Sequence, residues 1–285
     1  MRSFLTFLSL FTLFFFLTPT LCLSTPPKTD SDSEAFLLPQ EICYGDKTLP
    51  AADLILGAVG AMGLQGYHPE TLKAAAVVAA TKLTELYRET GKADGLEILT
   101  AEEAKAAWGD YWFSQYWKEM QEAVTETWGE IITQNGTLYG EAETFPVSWG
   151  NTEIGVECPL DETSNDFSAT VTVPLEEFTA VFPHYGESLK VKNAQSGRVD
   201  TVTSGSTVLT GIEMMQRFSL PSPAFTLTVT ADSATFRCKG KGDGIGMSLY
   251  GANEMAKQGI GYREIIATFY PDTEIQEANR ELGSK

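Results

Sequence analysis

Histidine is nearly missing from this chain: His68 and His184 are the two present in 285 residues. Cysteine is also sparse, and beyond Cys22 the three that remain, Cys43, Cys158 and Cys238, show no CxxC or His-paired spacing. A zinc site would have to be assembled from scattered ligands, so no metal and no cofactor is expected. The odd number of cysteines argues against a disulfide framework and for buried free thiols. Positive charge is short too, with 20 basic residues against 38 acidic and a formal net charge of -18. A partner held by phosphate neutralisation needs a basic face, so nucleic acid is disfavoured and not expected as a partner. No internal repeat is visible.

Long apolar runs are absent except at the start. MRSFLTFLSLFTLFFFLTPTLCLS has one basic residue, Arg2, followed by an apolar run from Phe4 to Leu17 that resumes at Leu21. It reads as an export signal whose length falls between the apolar core of a signal peptide and the roughly 20 residues of a membrane span. No small-x-small cleavage site stands out before Ser24, which favours an uncleaved anchor with the rest of the chain outside the membrane. Residues 1–24 are therefore taken as signal or anchor, 25–45 as a polar, Pro-containing linker, and 46–285 as the exported domain.

The pattern in that domain changes along its length. Pro50 suits a first helical turn, and apolar residues recur at Leu54, Ala58, Ala61 and Met62 before Gly63 ends the run. Pro69 and Glu70 open a second helix that is small and apolar on every face from Ala74 to Ala80, as a buried, closely packed helix would be. Thr100 and Glu103 have capping-box spacing, and Phe113, Tyr116, Trp117, Met120 and Val124 mark a long amphipathic helix whose aromatic stripe is expected in the core. After Gly129 the period becomes two. A hairpin turning at Asn135-Gly136 is followed by strands in FSATVTV, SLKVKN, STVLTG, FTLTVTA and SATFRCK, with short helices at PLEEFTAVF and GIEMMQRFS. Helices first, strands later and short helices at the end give an α+β class.

The most specific segment is KGKGDGIGMSLYGANEMAKQGIGYREIIATFYPDTEI, Lys239 to Ile275. Gly240, Gly242, Gly244 and Gly246 alternate with other residues, so the backbone there can approach a ligand or another chain closely. A helix is expected from near Gly251 and another from Tyr262 to Phe269.

This segment resembles the ending of the stage II sporulation protein D family, which runs Gly-His-Gly-Val-Gly-Met-Ser-Gln-x-Gly-Ala, then Met-Ala-x-x-Gly, Tyr-x-x-Ile-Leu and Tyr-Pro-Gly-Thr. Upstream, LPAADLILGAVGAMGLQGYHPETLKAAAVVAAT is similar, without a gap, to the family's Leu-Pro-Leu-Glu-Glu-Tyr opening and its Ala-rich helix. SWGNTEIGVECPLDE and GIEMMQRFSLPSPAF resemble two further family segments, so the likeness covers about residues 46–276.

The resemblance implies a lytic transglycosylase that cuts peptidoglycan glycan strands during forespore engulfment. In such an enzyme one glutamate first protonates the leaving oxygen and then acts as base while a sugar hydroxyl closes the ring. The family's glutamate ends the first helix, and the gapless register puts Met62 there. A thioether has no titratable proton. In the same register Ala80 stands for the family's arginine, Ala75 and Leu249 for its glutamines, and Asp243 for the histidine of the C-terminal motif. The resemblance thus implies a kept fold with lost chemistry: a sporulation-associated cell-wall protein acting by binding peptidoglycan glycan strands or other membrane-anchored sporulation proteins. The alternative is an active transglycosylase with a relocated acid at Asp243 or Glu153. Ser148, Gly150, Thr152 and Glu153 of SWGNTE, with Gly242, Gly244, Gly246 and Ser248 of the C-terminal motif, are the expected glycan contacts. Glu70 reads more simply as a partner of its own helix dipole.

Overall fold

The computed structural model describes residues 36–146 and 158–278, apart from the side chain of Phe145. The N-terminal apolar run and most of the polar stretch after it lie outside the described residues, as do all of SWGNTE and residues 154–157. No helix among the described residues is long and apolar enough to cross a membrane.

Strands β1 (Glu41–Tyr44) and β2 (Lys47–Pro50) form an antiparallel hairpin turning through Gly45 at φ +57°. β1 falls inside the stretch read as a linker, and Phe36, Leu38 and Ile42 are buried, so the packed fold begins before residue 46. The apolar run Phe36 to Leu38 lies between the polar residues 25–34 and Pro39 and is too short to read as an element by itself.

Pro50 ends the hairpin and starts helix α1 (Ala51–Ala61), whose Leu54, Ile55, Ala58 and Val59 are buried. Gly63, at φ +72°, takes the left-handed conformation that stops it. His68 caps α2 (Pro69–Thr90), its Nδ1 accepting the Glu70 N–H at 3.3 Å, and every residue from Ala74 to Ala80 is buried as expected. Thr100 and Glu103 close the capping box of α3 (Ala101–Glu126). This helix breaks at Gly109, where φ is +78° and ψ 160°. The break rotates the aromatic stripe away from its expected place. Met120 and Val124 are buried, but Phe113, Tyr116 and Trp117 are half-buried, and Tyr111 and Trp112 are exposed. Trp112 stacks on Tyr116 with centroids 5.3 Å apart.

β3 (Glu130–Gln134) turns through Asn135 and Gly136, both at positive φ, into β4 (Thr137–Leu138). β5 (Thr144–Phe145) follows, and a short 3-10 turn spans Pro159–Thr163. Then comes a strand-rich run built from β6 (Ser168–Pro174), α4 (Leu175–Val181), α5 (Tyr185–Ser188), β7 (Lys190–Asn193), β8 (Val199–Ser204) and β9 (Thr207–Thr210). It continues through α6 (Gly211–Arg217), β10 (Phe225–Val229) and β11 (Ser233–Lys239). Two antiparallel sheets, ordered β10-β11-β6 and β7-β8-β9, enclose a core of Phe178, Phe182, Phe218, Phe225 and Phe236. Alternation along β11 accounts for this: Ala234, Phe236 and Cys238 face in, while Arg237 and Lys239 face out. β8 had not been expected, because its buried Val199 and Val202 are three residues apart and conceal the period of two.

The chain then returns to its first part. β12 (Met247–Ser248) pairs in parallel with β5, while α7 (Leu249–Lys257) and α8 (Tyr262–Phe269) pack on α2. β13 (Glu274–Glu277) pairs antiparallel with β3. One hydrophobic cluster therefore joins residues from Phe36 to Ala142 with residues from Met247 to Ala278, and the strand-rich lobe is an insertion between them. Of the free cysteines, Cys238 is buried and Cys158 half-buried, but Cys43 is exposed on the short hairpin, where no second layer covers it.

Candidate functional site

Met62 is the residue at which α1 stops. Its N–H still bonds the Ala58 carbonyl at 3.2 Å, and Gly63 then turns the chain away. The half-buried side chain lies at a cleft of about 490 Å³. Ala61, Met62, Ala79 and Leu249 supply apolar surface, while Lys82 and Glu143 supply charge. Helix α2 can offer such a wall because its residues from Ala74 to Thr81 carry no long side chain; Lys82 is the first after that run to reach out.

The electrostatics of the cleft centre on Lys82. Its ammonium lies 2.7 Å from Glu143 and 3.2 Å from Glu85. Burial alone would lower its pKa, but these two carboxylates outweigh that and raise it, so the lysine stays charged at neutral pH. A carboxylate held against an ammonium presents acceptor oxygens, which suits hydroxyl and amide groups. Glu97 also lines the cleft and is exposed. Neither Lys82 nor Glu143 was singled out from the sequence. Lys82 carried a signal, as the lone charge ending a run of small residues; Glu143, in GEAETF, carried none.

The C-terminal motif builds this cleft from behind. Gly240, Gly242, Gly244 and Gly246 all have positive φ. Their close approaches are made to the protein's own chain. A Cβ on Gly246 would lie 1.9 Å from the Glu143 carbonyl oxygen, and one on Gly244 would lie 2.1 Å from Nη2 of Arg198. The Glu143 carbonyl also accepts the Met247 N–H at 2.9 Å and the hydroxyl of fully buried Tyr270. Burial drives the Tyr270 phenol well above its ordinary pKa, keeping it a donor.

The expected site residues do not all converge. Leu249 lines the cleft, but Ala75 and Ala80 are buried in the packing of α2, whose Ala79 faces the cleft instead. Ser248 is fully buried; it donates to Asp161 at 2.6 Å and caps α7 by accepting the Gly251 N–H at 3.0 Å, so it has no surface to offer a glycan. Asp243 accepts the Ile245 N–H at 3.0 Å and lines a different cavity, with Arg198, that shares no residue with the Met62 cleft. Ser148, Gly150, Thr152 and Glu153 lie outside the described residues; Pro146, the last described residue before them, is at the Met62 cleft. Among the described residues no group of three or more His, Cys, Asp or Glu is placed to hold a metal ion.

Residues 46–134, from β2 through the helical wall of the cleft to β3, match the sequence model of the Stage II sporulation protein family, SpoIID. Over that segment the chain is similar to the SpoIID family. Beyond that segment the similarity extends to stage II sporulation protein D of Bacillus subtilis (strain 168), 28% identical over 83% of this chain and 77% of that protein. Stage II sporulation protein D of Bacillus amyloliquefaciens is 27% identical over the same shares. The matched shares exceed the helical segment by far, so the inserted strand-rich lobe or the C-terminal helices, or both, take part in the likeness.

Proposed function

We propose that this chain is a glycan-binding relative of the SpoIID type that takes peptidoglycan strands into the Met62 cleft during sporulation without cutting them. The observation that carries the reading is Met62 itself. It stands at the end of α1, on the cleft, where the resemblance calls for the glutamate that is both acid and base, and a thioether can be neither. The cleft's shape supports binding: apolar surface from small residues for sugar faces, with Lys82 and Glu143 at hydrogen-bonding distance from one another and open to solvent for hydroxyl and N-acetyl groups. The apolar N-terminal run supports an exported protein held at, or released from, the outer side of the cell membrane, within reach of the wall and of other anchored sporulation proteins.

The test is mass spectrometry of soluble products after incubating the purified protein with peptidoglycan, and with glycan strands stripped of stem peptides, beside a Met62→Glu variant. The expected outcome is no anhydro-sugar product from the unmodified protein, together with its retention on pelleted glycan. Cleavage gained by Met62→Glu would add that the cleft still fits its sugar. Anhydro products from the unmodified protein would overturn the binding reading.

A second reading, an active transglycosylase with a relocated acid, draws on one observation: Glu143 brings a carboxylate to the Met62 cleft. On that reading the products would vanish in Glu143→Gln, whereas Asp243→Asn and Glu153→Gln would point to the acids suggested by sequence.

A further inference from the structure

Arg198 is 6% exposed, and among the described residues none of its three guanidinium nitrogens has a hydrogen-bond partner. It sits just before β8, at the end of the turn from Ala194 to Gly197. A guanidinium carries five N–H donors, and burying a cation with none of them satisfied is among the costliest arrangements a fold can keep. The surrounding backbone is shaped to keep it. Gly244, at φ +80°, leaves the space that a side chain would take from Nη2.

The same residue lines a cavity of about 310 Å³, near the lower end of small-molecule pockets. Val199, Ile212, Pro223 and Ile245 give it apolar walls. Two carboxylates reach it. Asp200 is engaged by Lys192 at 2.6 Å, whereas Asp243 meets only the Ile245 N–H through Oδ1 and acts on Arg198 through space without a hydrogen bond. Arg198 and Asp243 thus both line one cavity, the guanidinium nitrogens sealed just behind its wall, with no hydrogen bond spent between the two side chains.

We propose that this cavity is a binding site for a free α-amino acid, its carboxylate taken by the planar fork of Arg198 and its ammonium by Asp243. The fork matches a carboxylate with two parallel N–H donors, which a lysine at this position could not reproduce. The apolar walls take the side chain, and the cavity volume restricts that side chain to modest size. Access requires the bend at residues 243–245 to lift from the guanidinium, and Gly244 presents no side chain to be displaced. The site is separate from the Met62 cleft and stands whether or not that cleft binds glycan.

The experiment is isothermal titration calorimetry and thermal unfolding of the full chain with alanine, and with acetate and ethylamine as its two halves. Alanine is expected to bind with one-to-one stoichiometry and more tightly than either half. Arg198→Lys should weaken alanine by at least about tenfold, through loss of the bidentate fork. Asp243→Asn should remove the preference for alanine over acetate. Arg198→Met should abolish binding and raise the unfolding midpoint of the ligand-free protein, because it removes a buried charge that has no partner. No heat and no shift with millimolar alanine would overturn the proposal. So would unchanged binding in Arg198→Lys, or a lowered midpoint in Arg198→Met, which would make the arginine a structural partner of Asp243.

Discussion

Glu70 and Tyr262 lie 192 residues apart and meet through one hydrogen bond, the Glu70 carboxylate accepting the Tyr262 N–H at 2.9 Å. Glu70 belongs to the first turn of α2 and was expected to serve that helix's dipole. The same carboxylate also caps α8, whose own cap position, Gly261, has no side chain to do so. Lys73 completes the junction, 2.7 Å from Glu70 and 2.8 Å from Glu126 of α3.

Glu70→Ala should therefore lower the unfolding free energy by about 1–2 kcal/mol, the worth of a lost cap and a partly buried charge-assisted bond, as read by urea denaturation. Its pH dependence has a definite sign. Burial pushes the Glu70 carboxyl up, but the bonds from Lys73 and the Tyr262 N–H outweigh it and hold the pKa below the ordinary value. A depressed carboxyl stabilises above its unfolded pKa, and that stability drains away as the pH falls from about 4.5 through the lower folded value. Glu70→Gln should flatten this part of the acid limb; an unchanged limb would assign the acid sensitivity to other carboxylates.

Gly246→Ala should be among the most damaging single changes in the chain. The new Cβ would meet a backbone oxygen at 1.9 Å, on a residue already at φ +91°, and backbone cannot step aside as a flexible side chain can. A loss of about 3 kcal/mol or more is expected. Gly63→Ala is the control: it has positive φ with open space around it, so only the left-handed strain of about 1 kcal/mol applies. Equal losses at the two positions would show that the Glu143 carbonyl is not fixed.

Thiol labelling should separate the cysteines. Cys43 is exposed, while burial raises the thiols of Cys158 and Cys238 to about 11 each, leaving little thiolate at neutral pH. Peptide mapping after brief alkylation at neutral pH should find Cys43 modified ahead of both. Cys238 reacting as fast as Cys43 would mean that the core of the inserted lobe opens readily.

Two aromatic truncations should differ sharply. Phe178 is fully buried against Phe182, Phe218 and Phe236, and Phe178→Ala should cost about 3–5 kcal/mol. Trp112 is 48% exposed, and Trp112→Ala should stay within about 0.5 kcal/mol of the parent in denaturant. A large loss at Trp112 would mean that its stack on Tyr116 supports α3.

Most elements could be read from the sequence because each carried its own local signal. Thr100 with Glu103 announced α3, Asn135-Gly136 announced a hairpin, and the alternation in SATFRCK announced β11. What escaped had no local signal. The break at Gly109 cannot be told from a tolerated helical glycine without knowing what lies beside it, and it decided that Trp112 would face solvent. The pairing of β13 with β3 joins residues more than a hundred apart. At the cleft, Met62 and Leu249 could be placed through the family resemblance, but Lys82 and Glu143 come together through tertiary packing alone. Ser248 misled for the opposite reason: the motif that makes it noticeable uses it as a helix cap against Asp161.

Because residues 247–278 are part of the first lobe, the order in which the chain leaves the ribosome differs from the order in which its parts can finish. Residues 36–146 emerge with the hydrophobic face of α2 uncovered where α7 and α8 will later pack, and with one edge of β3 still unpaired. The inserted lobe, whose strands all pair among themselves, can close while that first segment waits. Only when α7 packs on α2 does the Met62 cleft acquire its Leu249 wall, so a chain cut short before α7 would keep a folded insertion and have no complete cleft.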